Sequence, residues 1–504
     1  MSAEPSAQRP NLLFIISDQH NPMVTGCYGD PVVQTPHLDR LAEGGVVLDN
    51  LYCTAPLCVP ARMSYMTGQY PTDIETWDNR HILDHAIPTF AHALGAAGYR
   101  PKLIGRMHFV GADHMHGFAE RLGGDATPNY PGGTGIDLGM LGSGTAGPYH
   151  VALERSGAGQ SGYEVIDEDT TAATVDALNR FGWQRRAGVL DEPFCLTVGY
   201  LLPHQPYVAR KADYDRYWGK VPPPTYPEPP TDPHPYIGWW RERCGLDKAT
   251  DDEIMRSRTA YWALVDRMDA MIGQILDALE TNGLADDTLV VYTSDHGDQV
   301  GEHGLWFKQT FYEGSLRVPA ILSWPGKLPA GTRFGQATST VDVVATMLDA
   351  LEAPPLPQAR GDSLLPALRG EDASWKDLAL AEYAPHGRFQ RMVRRGPWKL
   401  NYYQGEPTQI FNLADDPHET TDLAGDPQYR HIQEQLLPQV HMDWDPNRIA
   451  RRLEQKAADL ELMTQWTRHV RPPEPYHWPL TGEMNYLDDY DGPDKDTRTF
   501  ADPL

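Results

Sequence analysis

The chain has 504 residues, 40% of them hydrophobic, and a formal net charge of −26 with a pI near 5.0. This length exceeds the roughly 250 to 300 residues at which one hydrophobic core stops growing, so we expect a globular protein of two packed units. The negative charge argues against nonspecific binding of nucleic acid and against attraction to highly sulfated polysaccharides.

The cysteines and the N-terminal segment both bear on the cellular compartment. The five cysteines form an odd set without C-x-x-C spacing, which favours neither a disulfide framework nor a zinc knuckle. The N-terminal segment has no apolar signal-peptide core, and no apolar run approaches the ~20 residues of a membrane span. We therefore expect a cytoplasmic protein without a membrane partner. The cysteines are Cys27, Cys53, Cys58, Cys195 and Cys244.

Short apolar runs alternate with amphipathic stretches before residue 361, which is the pattern of βαβ units around a parallel sheet. The sequence therefore predicts an α/β fold with a large, mostly parallel sheet flanked by helices. The predicted strands are residues 12–16, 194–200 and 289–293, and the predicted helices are residues 37–44, 89–98 and 252–282.

Loops of distinctive composition separate some of these elements. Eight prolines within residues 221–235 exclude a helix or a central strand there. The glycine-rich residues 131–135 and 142–147 lack the Lys-Ser/Thr of a phosphate-binding loop. They are either a flexible surround of the active site or plain loops.

The pattern changes after residue 361. Four short antiparallel strands (378–383, 389–393, 398–403 and 409–413) and a helix over 429–456 predict a smaller α+β subdomain. We divide the chain into a catalytic domain (1–370), a C-terminal α+β subdomain (371–465) and an extended tail (466–504). The tail from residue 472 is rich in proline, aspartate and aromatic residues and is too poor in aliphatic residues to form a core of its own.

Polar residues follow two predicted strands where each strand ends. Asp18 and Gln19 come after the first strand. Asp295 and His296 come after the third. Ligands bind at the carboxyl ends of strands in open α/β sheets. These mainly oxygen donors suit Ca²⁺ or Mn²⁺, and less well Mg²⁺, better than zinc. A helix cap at Asp18 and a turn at Asp295 are the alternatives without a metal.

Cys58 begins the segment Cys-Val-Pro-Ala-Arg, which ends at Arg62 and continues to Met-Thr-Gly-Gln. The segment resembles the C-x-P-x-R signature of the type I, formylglycine-dependent sulfatases of the alkaline phosphatase superfamily. The resemblance implies that a formylglycine-generating enzyme oxidises Cys58 to an aldehyde. The hydrated aldehyde would supply the attacking oxygen and share the metal with Asp18 and Asp295. A small buried cysteine before a proline is the plain alternative.

Further motifs match the family's substrate-contacting groups. Gly-Arg-Met-His, with Arg106 and His108, resembles the family motif G-K-x-H, although arginine replaces lysine; Arg106 either clamps the substrate differently or points outward. His204 lies in Pro-His-Gln-Pro, which matches P-H-x-P. Lys308 matches the lysine that neutralises the leaving oxygen, and Asn79 matches an asparagine of the nearest subgroup.

Within the family, the sequence most resembles the choline-sulfatase-like enzymes, which form this nearest subgroup. This resemblance implies an alkaline-phosphatase-like fold and phosphonate monoester hydrolases as cousins with the same cysteine motif. The turn after Glu382, Tyr-Ala-Pro-His-Gly-Arg-Phe, offers no carboxylate to a quaternary ammonium, which does not favour choline-O-sulfate as the substrate.

The resemblance implies hydrolysis of a small-molecule sulfate monoester. The hydrate at residue 58, held near the metal by Arg62, attacks sulfur, and Lys308 and His204 stabilise the leaving oxygen. His108 then acts as the base that releases sulfate. A phosphonate monoester or phosphodiester hydrolase on the same site is the alternative, and a non-catalytic binding protein is a second one.

The aromatic residues of the tail would be an exposed apolar surface if solvent surrounded them. They predict a symmetric homodimer or homotetramer in which the tail borders a substrate pocket. The alternative is a tail that wraps its own subunit. These residues are Tyr476, Trp478, Tyr486, Tyr490 and Phe500.

Overall fold

A large sheet forms the centre of the catalytic part of the chain. The computed structural model describes residues 9–133, 135–190, 192–230, 233–371 and 374–488; Tyr490 and Phe500 of the tail lie outside them. The strands in these ranges are β1 (Asn11–Asp18), β2 (Val46–Leu48), β3 (Leu51–Tyr52), β4 (Arg100–Gly105), β5 (Glu120–Leu122), β6 (Gly157–Gln160), β7 (Phe194–Pro203), β8 (Val208–Ala209), β9 (Thr288–Ser294), β10 (Arg317–Val318), β11 (Ala320–Ser323), β12 (Thr332–Phe334), β13 (Thr338–Ser339), β14 (Leu378–Tyr383), β15 (Gln390–Arg395), β16 (Trp398–Tyr403), β17 (Gln409–Asn412) and β18 (Tyr486–Leu487).

Helices cover both faces of this sheet. All helices in the same ranges, including those of the C-terminal region, are α1 (Pro36–Glu43), α2 (Cys58–Thr67), α3 (Pro71–Ile74), α4 (Phe90–Ala96), α5 (Val151–Glu154), α6 (Gly162–Arg186), α7 (Lys211–Tyr217), α8 (Pro235–Cys244), α9 (Asp251–Thr281), α10 (Glu313–Leu316), α11 (Thr340–Ala350), α12 (Leu365–Leu368), α13 (Arg430–Val440) and α14 (Pro446–Val470).

The described part of the large sheet has the order β12-β2-β11-β9-β1-β7-β4-β5. The strands from β9 to β5 run parallel, whereas β11 is antiparallel to both of its neighbours. Side chains of β1 alternate between two hydrophobic cores: Leu13 and Ile15 pack on the α9 side, and Leu12 and Phe14 on the other. Two covered faces explain why this strand is a continuous apolar run.

The strand register brings the predicted motifs together. Ser17 in β1 lies opposite Ser294 in β9, and Asp18 lies opposite Pro203 in β7. The carboxyl ends of these three strands therefore meet at one edge of the sheet. The segments that follow them carry Gln19, His204 and Asp295.

The C-terminal subdomain contains an antiparallel sheet in the order β14-β15-β16-β17. The single helix that we expected over 429–456 is wrong, because α13 ends at Val440 and α14 begins at Pro446. Pro446 occupies the first helical position and Asp445 caps it, a signal that starts a new helix rather than continuing one. The second helix continues to Val470, past the expected start of the tail at residue 466.

The described part of the tail lies against its own chain. Strand β18 pairs with β6, and Asp125 exchanges backbone hydrogen bonds of 2.9 Å with Tyr476 and Trp478. In the structure of the single chain, residues 472–488 therefore wrap their own subunit, as the alternative expectation had it. None of the helices in the described ranges combines the length and apolar character needed to span a bilayer.

Candidate active site

Cys58 is the first residue of α2, a helix whose ten residues are all buried. Its Sγ lies 3.1 Å from Lys308 Nζ, 3.3 Å from His296 Nε2 and 3.8 Å from Asp18 Oδ1. The Asn79 side chain accepts a hydrogen bond of 3.0 Å from the backbone N–H of Val59 and so braces the start of the helix. The helix N-terminus and Lys308 both favour negative charge at position 58.

A possible metal site surrounds this cysteine. One donor atom from each of Asp18, Cys58, Asp295 and His296 lies within 4.8 Å of the other three, and all four residues are buried. His296 Nδ1 lies 3.1 Å from the carbonyl of Gly297, which leaves Nε2 for a metal. Burial lowers the pKa of His296 to about 4, so the imidazole is neutral, as a ligand must be. Two carboxylates and a neutral imidazole fit a divalent cation.

Gln19 lies beside this group, but its side chain points elsewhere. Its Oε1 accepts a hydrogen bond of 2.8 Å from Lys308 Nζ. Its Nε2 donates to Gln205 and to Asp298. The backbone N–H of Gln19 donates to Asp295 Oδ1 at 3.0 Å. In this geometry Gln19 orients Lys308 and Asp295, and its place among the metal ligands stays a prediction.

Arg62 joins the carboxylates from inside the fold. Its side chain is fully buried, with Nε 2.9 Å from Asp295 Oδ2 and Nη2 3.2 Å from Asp18 Oδ2. The guanidinium also donates to the carbonyls of Ser17, Arg106 and Tyr200. The arginine of the cysteine motif therefore fixes the two carboxylates relative to the sheet edge.

Arg106 points inward rather than outward. Its Nε donates to Asp18 Oδ2 at 2.7 Å, Nη1 lies 3.3 Å from Asp125 Oδ1, and Nη2 lies 2.8 Å from His108 Nδ1. Burial opposes the charged form of His108, and the charge of Arg106 adds to that effect. The pKa of His108 therefore lies well below the usual range.

His204 and Lys308 lie near Cys58. His204 Nδ1 lies 2.5 Å from the carbonyl of Gln205. The backbone N–H groups of Leu201 and Leu202, just before this segment, donate to the buried carboxyl of Asp167. The position of His204 thus rests on helix α6, which carries Asp167.

The site concentrates positive charge around Asp18. Burial opposes ionisation of this carboxyl, but the surrounding charges, led by Arg106, outweigh it and hold its pKa well below the usual range. Arg62 and Lys308 contribute in the same direction. Permanent cations on three sides favour an anionic substrate.

The structure adds residues that the sequence did not single out. Asp125 contacts Arg106 and the backbone of His108. Asp298 accepts hydrogen bonds from Tyr207 and Gln19. Only Asp298 had a local signal, since it follows Asp295-His296-Gly297 directly. Of the glycine-rich stretches, residues 142–147 reach the site, because Ala146 accepts a hydrogen bond from Gln205.

These features define an ester hydrolase of the alkaline-phosphatase-like fold. The sulfatase family model matches residues 10–353, and that of the C-terminal region of N-sulphoglucosamine sulphohydrolase matches residues 301–443. The chain belongs to the sulfatase family, which confirms the resemblance and the fold class, and it is a sulfatase.

Individual relatives agree with this assignment. The chain is 36% identical to a choline-sulfatase of Rhizobium meliloti over 433 residues, covering 83% of both chains. It is 28% identical to arylsulfatase K of Gallus gallus over 458 residues, covering 83% of this chain and 79% of the relative. Its fold is similar to that of a phosphonate monoester hydrolase of Agrobacterium radiobacter, with a TM-score of 0.67, 24% identity and coverage of 85% and 95%.

Proposed function

We propose that the protein hydrolyses a small-molecule sulfate monoester with a formylglycine made from Cys58 and one divalent metal ion. The observation that carries the proposal is the position of Cys58 Sγ, 3.1 Å from Lys308 Nζ and 3.3 Å from His296 Nε2, at the start of a buried helix. A formylglycine-generating enzyme would be needed as a partner during maturation, and the hydrated aldehyde would supply the attacking oxygen.

Asp18, Asp295, His296 and residue 58 would hold the metal, which when bound would polarise the ester and favour the ionised form of the attacking group. Arg62 keeps both carboxylates in place through its hydrogen bonds. Lys308, whose Nζ lies 3.1 Å from Cys58 Sγ, would stabilise the negative charge that develops on the leaving oxygen, and His204 lies near the same atom. Arg106 contacts Asp18, and His108 contacts Arg106.

Intact-protein mass spectrometry combined with an aryl sulfate assay tests the nucleophile. We expect active protein to carry formylglycine at position 58 and Cys58→Ala to be inactive. Cys195→Ala is a suitable control, because Cys195 is a buried cysteine of β7 that lies outside the site, and its loss should leave the modification of position 58 intact. Full activity in protein that retains the Cys58 thiol would refute the proposal.

The alternative is a phosphonate monoester or phosphodiester hydrolase, since such esters share charge and shape with sulfate esters. His108 favours sulfate, because those cousins tend to lose the histidine of this motif. Comparison of kcat/KM for an aryl sulfate and an aryl phosphonate monoester decides between them. A large preference for the phosphonate would overturn our choice.

We infer that the metal is Ca²⁺ or Mn²⁺ rather than Mg²⁺, because the donor set contains two carboxylates and one imidazole. Elemental analysis of the purified protein and restoration of activity after chelation identify it. Recovery with zinc alone would contradict the choice of an oxygen-preferring ion.

We also propose a cytoplasmic homodimer or homotetramer that uses α14 and the tail. Leu462, Trp466 and Val470 form an apolar stripe along α14 and are 69%, 43% and 52% exposed. A second copy of the chain would cover this stripe. Light scattering should give a molar mass that is a multiple of the chain mass of 56.4 kDa. Val470→Asp should lower this measured molar mass. A monomer in the unmutated protein would refute the assembly.

A further inference from the structure

The contacts of Arg106 determine which ring nitrogen of His108 carries the hydrogen. The guanidinium presents N–H groups in three directions, to Asp18 Oδ2 at 2.7 Å, to Asp125 Oδ1 at 3.3 Å and to His108 Nδ1 at 2.8 Å. A guanidinium has donors only and keeps its charge in proteins. His108 Nδ1 must therefore be the acceptor in this contact, which leaves the ring neutral with its hydrogen on Nε2.

Asp125 holds both partners of this contact. Its Oδ2 accepts a hydrogen bond of 2.7 Å from the backbone N–H of His108, while Oδ1 faces Arg106. Thr127 donates to the same Oδ1 through its hydroxyl at 2.9 Å. The His108 backbone has a φ of 61°, in the left-handed region that non-glycine residues rarely adopt. A buried carboxylate therefore fixes the guanidinium and the strained backbone together.

His204 has the opposite arrangement. Its Nδ1 lies 2.5 Å from the carbonyl of Gln205, which can only accept, so Nδ1 carries the hydrogen and Nε2 keeps its lone pair. The two histidines of the site thus differ: His108 offers a donor at Nε2 and His204 an acceptor at Nε2.

We propose that Asp125 and Arg106 are positioning residues that hold His108 in its Nε2–H form, so that His108 donates a hydrogen bond to the substrate instead of acting as the base. The proposal rests on the proposed function for the identity of that substrate, a sulfate ester oxygen. It also assigns Arg106 a role that a lysine would not fill, because an ammonium presents its donors from one nitrogen and cannot span the three acceptors.

In the described residues no protein group accepts a hydrogen bond from His108 Nε2. His108 is 7% exposed and Arg106 is 3% exposed, so both side chains are buried and the guanidinium is not a surface group. Burial and the charge of Arg106 also disfavour a second proton on the ring. All of these features favour a fixed neutral donor.

Nitrogen-15 solid-state NMR of the full-length, metal-loaded protein labelled at histidine tests the tautomer directly. His108→Gln removes one set of ring signals and so assigns them. We expect the native His108 to be protonated at Nε2 and unprotonated at Nδ1. A hydrogen on Nδ1 in the native protein would overturn the proposal even if every variant failed to fold.

Variants then test what fixes the tautomer. Arg106→Met and Asp125→Asn should each give a mixture of the two His108 tautomers. Arg121→Met is the matched control, because Arg121 is a neighbouring buried arginine whose Nη1 lies 3.3 Å from His114 Nδ1. It should leave the His108 signals unchanged. Unchanged His108 signals in both Arg106→Met and Asp125→Asn would contradict the role of these residues.

Activity separates a donor from a base. A glutamine amide can donate a hydrogen bond as the imidazole Nε2–H does, but it cannot take up a proton. We therefore expect kcat of His108→Gln to exceed that of His108→Leu by about 10-fold or more, the effect of one hydrogen bond to a charged group. Equal losses in the two variants would indicate a base.

The two proposals can fail separately. Loss of the proposed function would appear as a native protein that hydrolyses no aryl sulfate while His108 still carries its hydrogen on Nε2. Failure of the present inference would appear as an active sulfatase whose His108 carries the hydrogen on Nδ1.

Discussion

Replacement of Arg62 by methionine tests how the buried carboxylates are stabilised. The Arg62 side chain has no exposed surface and contacts Asp295 at 2.9 Å and Asp18 at 3.2 Å. Methionine fills much of the same space but leaves both carboxylates without this partner. Removal of one member of a buried ion pair costs about 3–5 kcal/mol, so we expect a loss of that size in metal-free protein.

A bound divalent cation would neutralise the same carboxylates. The destabilisation of Arg62→Met should therefore be smaller when the metal site is saturated, which means that the variant gains more from the metal than the native protein does. Urea unfolding followed by tryptophan fluorescence, once with EDTA and once with saturating Ca²⁺, measures both losses.

Arg40→Met is the matched control for this experiment. Arg40 also faces two carboxylates, Asp277 at 2.8 Å and Glu280 at 3.6 Å, but its side chain is 42% exposed. Its loss should cost less than about 1 kcal/mol and should not depend on metal. A loss below about 1 kcal/mol for Arg62→Met in EDTA, or an equal loss with and without Ca²⁺, would refute the reasoning.

Three further changes probe other parts of the molecule. Lys399→Met should cost about 3–5 kcal/mol in the same urea assay, because Lys399 Nζ is buried 2.8 Å from Glu313 and 2.7 Å from Glu419; a loss under about 1 kcal/mol would contradict this. Asp295→Ala should lower kcat by orders of magnitude and reduce metal content while circular dichroism stays native, and a kcat near the native value would exclude Asp295 as a ligand. Burial raises the pKa of Asp269 to about 7 in the folded protein, against about 3.9 when unfolded, so its stabilising contribution is complete below about pH 4 and is lost as the pH rises through 7. Asp269→Asn should flatten the decline in unfolding free energy between about pH 4 and 7, and an unchanged slope would exclude Asp269 as its source.

The sheet and the meeting of its motifs were predictable because parallel strands end at the same edge. Asp18 and Asp295 are 277 residues apart in the chain, yet Ser17 and Ser294 lie in register in adjacent strands. A strand buried on both faces has a strong apolar signature, and a polar residue directly after it marks the edge. The predicted α/β fold is confirmed for the same reason.

Other features depend on contacts that no local pattern reveals. Asp125 lies in a loop, and its backbone is held by Tyr476 and Trp478 of the tail. Gln19 has a φ of 68°, which a glutamine rarely adopts, and its side chain contacts Lys308, Gln205 and Asp298. The break before α14 did have a local signal, since Pro446 lacks the N–H that a continuous helix would need.

The arginine at position 106 shows how one residue type can redistribute the roles in a site. Lysine at this position would bring one charged nitrogen, which is compact and strongly hydrated. Arginine brings a planar fork, and its donors need acceptors in several directions at once. This chain supplies Asp18, Asp125 and His108 as those acceptors. His108 Nδ1 uses its lone pair to accept a hydrogen bond from Arg106, so under our proposal a proton taken up during the reaction goes to another group. His204 is the other histidine of the site, and its Nε2 remains an acceptor.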